Sequence, residues 1–217
     1  TGSQGPFTVP AKAIHLTEAQ NISEPFDFVF ISVKSYDTEW ATHFIKRYVR
    51  EDGFFVSLQN CWNDVPIGEI VGSTRQLGCI ASHIEVALWE PALVTRGGAV
   101  GRDSGHTVFW VGEQDGRITP RAEKVAALLD NIDAAYASDN LWGERWAKLS
   151  QNSMGNGISA STGLGSQQMA EDPRLRLIRI NLAKEAAKVG LAMGLSVVAI
   201  NGISAETWAD ADKGDVF

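Results

Sequence analysis

The run Phe26-Asp-Phe-Val-Phe-Ile-Ser-Val33 constrains this chain most. Aromatic and β-branched residues fill it almost continuously, as in a strand buried on both faces of a parallel sheet. A buried parallel strand needs a helical crossover to its neighbour. The following residues supply one: Thr38 to Val49 has helical spacing, with Trp40, Phe44, Ile45 and Tyr48 or Val49 as an apolar stripe. Phe54 to Leu58 then reads as the next strand, Val65 to Val71 as a short helix, and Leu77 to Ser82 as a third strand. This alternation predicts a doubly wound α/β sheet.

The pattern then changes. Ala92 to Arg96 and Thr107 to Val111 read as an antiparallel pair or meander, with the glycine-rich Gly97 to Gly101 between them as a hairpin loop. Glu85 and Glu90 read as solvated residues of a loop. Arg121 to Ile132 is an amphipathic helix started by Pro120, and Ala135 to Ala137 suits a last short strand. Beyond Leu141 only Leu195 to Ile200 looks like a strand. Leu141 to Ser161 and Leu175 to Met193 are long helical segments, the second opened by Asp172-Pro173 and closed by Gly194. Ala205 to Ala211 begins another helix. Two domains are therefore expected, an α/β half over 1–139 and an all-helical half over 140–217.

A net charge of −7 argues against a nucleic-acid partner. No stretch reaches the roughly 18 apolar residues of a membrane span. Cys61 and Cys79 belong to no CxxC pair, and two cysteines make no disulfide framework, so a reducing, cytoplasmic setting is expected. The four histidines show no ligand spacing with cysteine or carboxylate, so no metal site is expected. His43 reads as surface, and His83 is the one histidine placed at a strand end.

In open parallel sheets ligands sit outside the carboxyl ends of the strands. Lys34-Ser35, Gln59-Asn60 and Ser82-His83 follow the three strands. A lysine there suits a phosphate, and an asparagine suits a ribose or an amide. Each type also occurs in ordinary solvated loops. No G-x-G-x-x-G follows a strand. That motif belongs to the first βα unit of a dinucleotide fold, and the chain lacks an initiator methionine. The expectation is a chain lacking its first βα unit and its C-terminal end.

The densest polar pattern is Trp146-Ala-Lys148-Leu-Ser-Gln-Asn152-Ser-Met-Gly-Asn156-Gly. In a continuous helix Lys148, Asn152 and Asn156 fall at i, i+4 and i+8 on one face, a proton donor beside two bifunctional amides. Surface amides beside a solvated lysine give the same spacing.

Asp27 to Thr38, Ser57-Leu-Gln-Asn60 and Trp146 to Asn156, in this order and spacing, resemble the ketopantoate reductase (2-dehydropantoate 2-reductase) family. That family lies within the 6-phosphogluconate-dehydrogenase-like superfamily. The resemblance implies a Rossmann-type sheet domain followed by a helical domain that carries substrate and dimer contacts. It implies NADPH-dependent reduction of a 2-keto acid, 2-dehydropantoate to pantoate on the route to pantothenate. It implies Lys148 as the general acid, Asn152 and Asn156 as substrate-binding residues, and Lys34 and Asn60 as cofactor-binding residues. The reaction is expected between the two halves. The long apolar faces of the helical half allow a homodimer. The chain departs from the family where Cys61-Trp62 replaces a glycine, where Gly157 follows the second helix asparagine, and where Gly165-Ser166 stands near a further pocket asparagine. The family's catalytic glutamate falls beyond Phe217. Another superfamily dehydrogenase with a different ketone or hydroxy acid, and a non-catalytic nucleotide-binding or oligomerisation relative, are the alternatives.

Overall fold

The computed structural model describes residues 5–211. They fall into two compact units that divide between Asp139 and Asn140. Each is described by itself.

The first unit opens with an extended arm and a 3-10 helix, Leu16–Asn21, capped by the His15 ring. β1 (Phe26–Ile31), α1 (Thr38–Ile45), β2 (Val49–Ser57), α2 (Asp64–Val71) and β3 (Gln76–Ala81) follow. β1, β2 and β3 are parallel neighbours, with Ile31 opposite Ser57 and Ser57 opposite Gly78. β4 (Glu85–Glu90) and β5 (Leu93–Gly97) form a separate antiparallel hairpin. A one-turn helix, α3 (Gly101–Ser104), precedes β6 (Phe109–Gly112), α4 (Pro120–Leu129) and β7 (Ala135–Ser138). β6 joins β3 antiparallel and pairs with β7 in parallel, giving the sheet order β1-β2-β3-β6-β7.

Strand alternation divides the core. Ile31, Val49 and Phe55 face Ile67 and Val71 of α2, and Ile45 of α1 packs there too. Val56, Leu77, Cys79 and Val111 face the other way, onto Ala122, Val125 and Leu129 of α4. Helices on both faces of a largely parallel sheet make this the Rossmann-type, doubly wound arrangement.

Three expectations are corrected in this unit. Gly97 to Gly101 is not a hairpin loop. The hairpin lies one strand earlier, turning at Pro91-Ala92, and Glu85 and Glu90 belong to a strand. The stretch between β5 and β6 contains α3, and those strands do not pair with each other. Asp133 organises it: its buried carboxylate accepts from the Gly101 and Arg102 amides and pairs with Arg96. Burial pushes that carboxyl up, but Arg96 and the backbone donors outweigh it and hold Asp133 well below the usual range. Finally, only Ile45 of the apolar stripe on α1 packs on the core, and Val49 opens β2 instead of ending the helix. Thr38 and Thr42 are its buried residues, and the Thr42 hydroxyl is satisfied by the Thr38 carbonyl at 2.7 Å. Trp40 and Phe44 stack at 5.5 Å on the outer side, with Tyr48 at 6.0 Å from Phe44.

The second unit is helical: α5 (Leu141–Ser153), α6 (Asn156–Thr162), α7 (Ser166–Glu171), α8 (Pro173–Ala192) and α9 (Ala205–Ala209). Its core joins Ala147 of α5 and Met154 at that helix's end to Ala183 and Ala187 of α8 and to Ala205 and Trp208 of α9. Alanines at that seam let the helix backbones approach. Asp172 caps α8 through the amides of Arg174 and Leu175, and Gly194 turns the chain away at φ +76°. Two readings change here. Leu195 to Ile200 is not a strand; Val197 and Val198 pack on the helical core, and only an isolated bridge joins Ile200 to Ile203. Leu141 to Ser161 is not one helix, because Met154 and Gly155 interrupt it.

Candidate active-site residues and family membership

Lys34 and Asn60 lie at the same edge of the sheet. Each stands three residues past the end of its strand, and the terminal residues Ile31 and Ser57 are register partners. Two amides hold the strand-end loops together. Gln59 donates through Nε2 to the Val33 carbonyl at 2.6 Å and to the Thr38 hydroxyl at 2.9 Å. Asn63 donates through Nδ2 to Ser35 Oγ at 2.9 Å and to the Asn60 carbonyl at 2.7 Å. The Lys34 and Asn60 side chains are exposed, so a cation and an amide project from a braced edge. Between them and α2 sits Cys61 at φ +70°, the left-handed region that glycine enters without steric penalty. His83, past β3 at the same edge, has φ +55° and its ring lies 4.8 Å from that of His106. Cys61 is exposed and Cys79 buried, and neither forms a disulfide among the described residues.

Lys148 and Asn152 are placed one turn apart on α5. Asn140 starts that helix: its Oδ1 accepts from the Gly143 amide at 3.2 Å, and its Nδ2 donates to the Ser196 carbonyl at 2.7 Å. Gly143 must be glycine for this, since a Cβ there would lie 2.0 Å from the Ser196 oxygen. Trp146 fixes the middle of α5 by donating from Nε1 to the Ala186 carbonyl of α8 at 2.8 Å. The Lys148 amine is half-buried, and that burial lowers its pKa from the ordinary lysine value. Its one side-chain contact among the described residues is Gln151 Oε1, at 3.5 Å. Glu144, one turn before, is also half-buried, and burial pushes its carboxyl up to about 7.

The single face expected for Lys148, Asn152 and Asn156 is not kept. Gly155 caps a new helix whose first residue is Asn156, so only Lys148 and Asn152 share α5. Neither asparagine amide makes a hydrogen bond among the described residues, which leaves both able to bind a ligand.

Gln59 was noted only as a strand-end polar residue, and Asn63, Glu144 and Gln151 were not singled out from sequence. Glu144 and Gln151 did carry a signal, since they stand at i−4 and i+3 from Lys148. Among the described residues, no group of three or more His, Cys, Asp or Glu is arranged to hold a metal ion. No helix there is long and apolar enough to cross a membrane.

The model of the ketopantoate reductase PanE/ApbA family matches residues 2–110. The chain belongs to this family. A 2-dehydropantoate 2-reductase of Archaeoglobus fulgidus is 31% identical over 179 residues, covering 79% of this chain and 55% of the relative. The chain thus spans about half the length of the curated relatives it matches. Among solved structures, a 2-dehydropantoate 2-reductase from Geobacter metallireducens GS-15 superposes with a TM-score of 0.80 at 24% identity, covering all of this chain and 69% of that one. A D-mandelate dehydrogenase solved with NADH and anilino(oxo)acetate gives 0.67 at 16% identity, over 88% of this chain and 58% of that one. Both share the fold.

Proposed function

We propose that the protein containing this chain reduces a 2-keto acid with a nicotinamide cofactor, that 2-dehydropantoate is the substrate, and that Lys148 donates the proton. The observation that carries this reading is the half-buried Lys148 amine, with its lowered pKa and the uncommitted Asn152 amide one turn away. Family membership supplies the reaction class.

The bound cofactor supplies the hydride. Negative charge then grows on the substrate's carbonyl oxygen, and an ammonium at that oxygen lowers the barrier. Lys148 has the proton to complete the alcohol, and burial brings its pKa down towards the working range of a general acid. Asn152 and Asn156 carry N–H donors for the carboxylate and both donor and acceptor groups for a hydroxyl, and they add no charge. Residues 1–139 form the dinucleotide-binding half in this reading, and residues 140–217 the substrate half. The exposed Lys34 ammonium and Asn60 amide fit the phosphate and ribose of a dinucleotide. The additional phosphate on the adenosine ribose of NADPH suits that lysine, so NADPH is the proposed form. The exposed Leu177, Ile178 and Val189 of α8 suit contact with a second copy of the chain.

A panel of 2-keto acids with branched, straight and aromatic substituents, assayed with NADPH and with NADH on the whole protein, tests this. Oxidation of NADPH fastest with 2-dehydropantoate is expected. Turnover of none of the panel with either nucleotide removes the reading. Faster turnover of an aromatic 2-keto acid reassigns the substrate, with Trp62 beside Asn60 as the residue to vary.

A further inference from the structure

We propose that Gln151 and Asn201 position the Lys148 amine, with Asn201 fixing the Gln151 amide so that its carbonyl oxygen, not its NH2, faces the ammonium. This rests on Lys148 being the proton donor.

The orientation follows from a chain of contacts. Gln151 Nε2 donates to Asn201 Oδ1 at 2.8 Å, which turns Gln151 Oε1 back towards Lys148 Nζ, 3.5 Å away. Asn201 presents its oxygen because its own Nδ2 points at Met154 Sδ, 3.9 Å away, and a thioether only accepts. Met154 is buried in the helical core. The turn beneath Asn201 is closed by reciprocal bonds, Ile200 N to Ile203 O at 2.8 Å and Ile203 N to Ile200 O at 3.1 Å. Trp208 pins it through Nε1 to the Ile200 carbonyl at 3.0 Å. Asn201 itself has φ +52°, a conformation asparagine tolerates better than most residues with a side chain.

An oxygen directed at an ammonium favours its charged form and so opposes the effect of burial. The 3.5 Å separation is long, and the ammonium has further N–H groups to give a substrate oxygen. The arrangement keeps the amine protonated and aimed without holding it fast. The ionisable groups one turn back on α5 are Glu144 and the buried Arg145, at i−4 and i−3 from Lys148. α8 meets α5 through Ala183, Ala186, Ala187 and Gly190, which are uncharged.

The test is the pKa of Lys148, read from its side-chain carbon shift by NMR, in the parent and in four variants, repeated in a Glu144→Gln background. Gln151→Met removes the oxygen and lowers that pKa. Asn201→Gly frees the Gln151 amide, keeps a backbone that suits positive φ, and also lowers it. Asn201→Asp still accepts from Gln151 and, with its added negative charge, keeps the pKa at or above the parent value. Gln151→Glu raises it by about one unit or more. Turnover of Gln151→Met falls in step with the loss of protonated amine, while KM for the nucleotide is unchanged. A Lys148 pKa unmoved by Gln151→Met and Asn201→Gly, in variants with parental tryptophan fluorescence, overturns the positioning role even if Lys148 proves essential. A pKa that follows Gln151 in an enzyme indifferent to Lys148→Met leaves the contact real and defeats the proton-donor role of Lys148 instead.

Discussion

Gly190→Ala is expected to destabilise the helical unit although alanine is the better helix former. A Cβ at Gly190 would lie 2.4 Å from both Cδ1 and Nε1 of Trp146, and 3.0 Å from Val197 Cγ2. Normal carbon contacts are near 3.5–4.0 Å, so the indole must move by about 1 Å or more. That movement breaks its 2.8 Å bond to the Ala186 carbonyl in the seam between α5 and α8. Overpacking costs roughly 1–3 kcal/mol, and a stranded hydrogen-bond partner about 1–2 kcal/mol. The helix propensity of alanine returns about 1 kcal/mol. The net loss is therefore about 1–4 kcal/mol. Urea unfolding followed by tryptophan fluorescence measures it. Gly157→Ala in α6 is the matched control, because its Cβ meets nothing within 4 Å and only the propensity gain of up to ~1 kcal/mol remains. Opposite signs for the two substitutions are expected. A neutral or stabilising Gly190→Ala refutes this account of the α5–α8 seam. Trp146 is two residues from Lys148, so the same variant is also expected to lower turnover.

Cys61→Gly should stabilise the protein by about 0.5–1 kcal/mol, since relief of a left-handed non-glycine residue exceeds the added chain entropy; thermal unfolding checks this. Lys34→Ala is expected to weaken NADPH more than NADH in fluorescence titration, and equal dissociation constants to the parent's would remove Lys34 from the cofactor site. Glu144 gives a pH dependence of known sign. Its folded pKa is raised from 4.5 to about 7, so between those values the folded state holds a proton that the unfolded state has lost. Stability falls as pH rises through that window, and Glu144→Gln should flatten this part of a urea-midpoint profile.

Elements whose neighbours bury them on one or both faces were legible in the sequence. β1, β3 and the second half of β2 read as apolar runs, and α8 announced itself by Asp172-Pro173 and Gly194, whereas the polar first half of β2 did not read as strand. β4 was not legible because it is largely exposed and shows no alternation, and its turn places Ala92, not a glycine, at φ +65°. α1 misled because its aromatics stack outward, while two threonines take the buried face, Thr42 bonded to the Thr38 carbonyl and the Thr38 hydroxyl to Gln59. Leu195 to Ile200 has strand-like residues, but they find apolar partners on helices and no neighbouring strand. Among the candidate residues, Lys148, Lys34 and Asn60 stand out in the sequence by residue type and by position along the chain. Gln151 and Asn201 were not, because their roles depend on a contact across fifty residues of sequence. The shift at Glu144 depends on burial, which no local pattern encodes.

The central claim is that the Lys148 amine hands a proton to a carbonyl oxygen. Lys148→Met in the whole protein, with turnover measured against pH and nucleotide affinity measured separately, tests it most directly. The account predicts turnover reduced by ~10²–10⁴-fold with nucleotide affinity unchanged. It also predicts that the parent loses activity as pH rises through a Lys148 pKa below the ordinary 10.5, and that this limb vanishes in the variant. Turnover close to the parent's, or an unaltered alkaline limb, would contradict it.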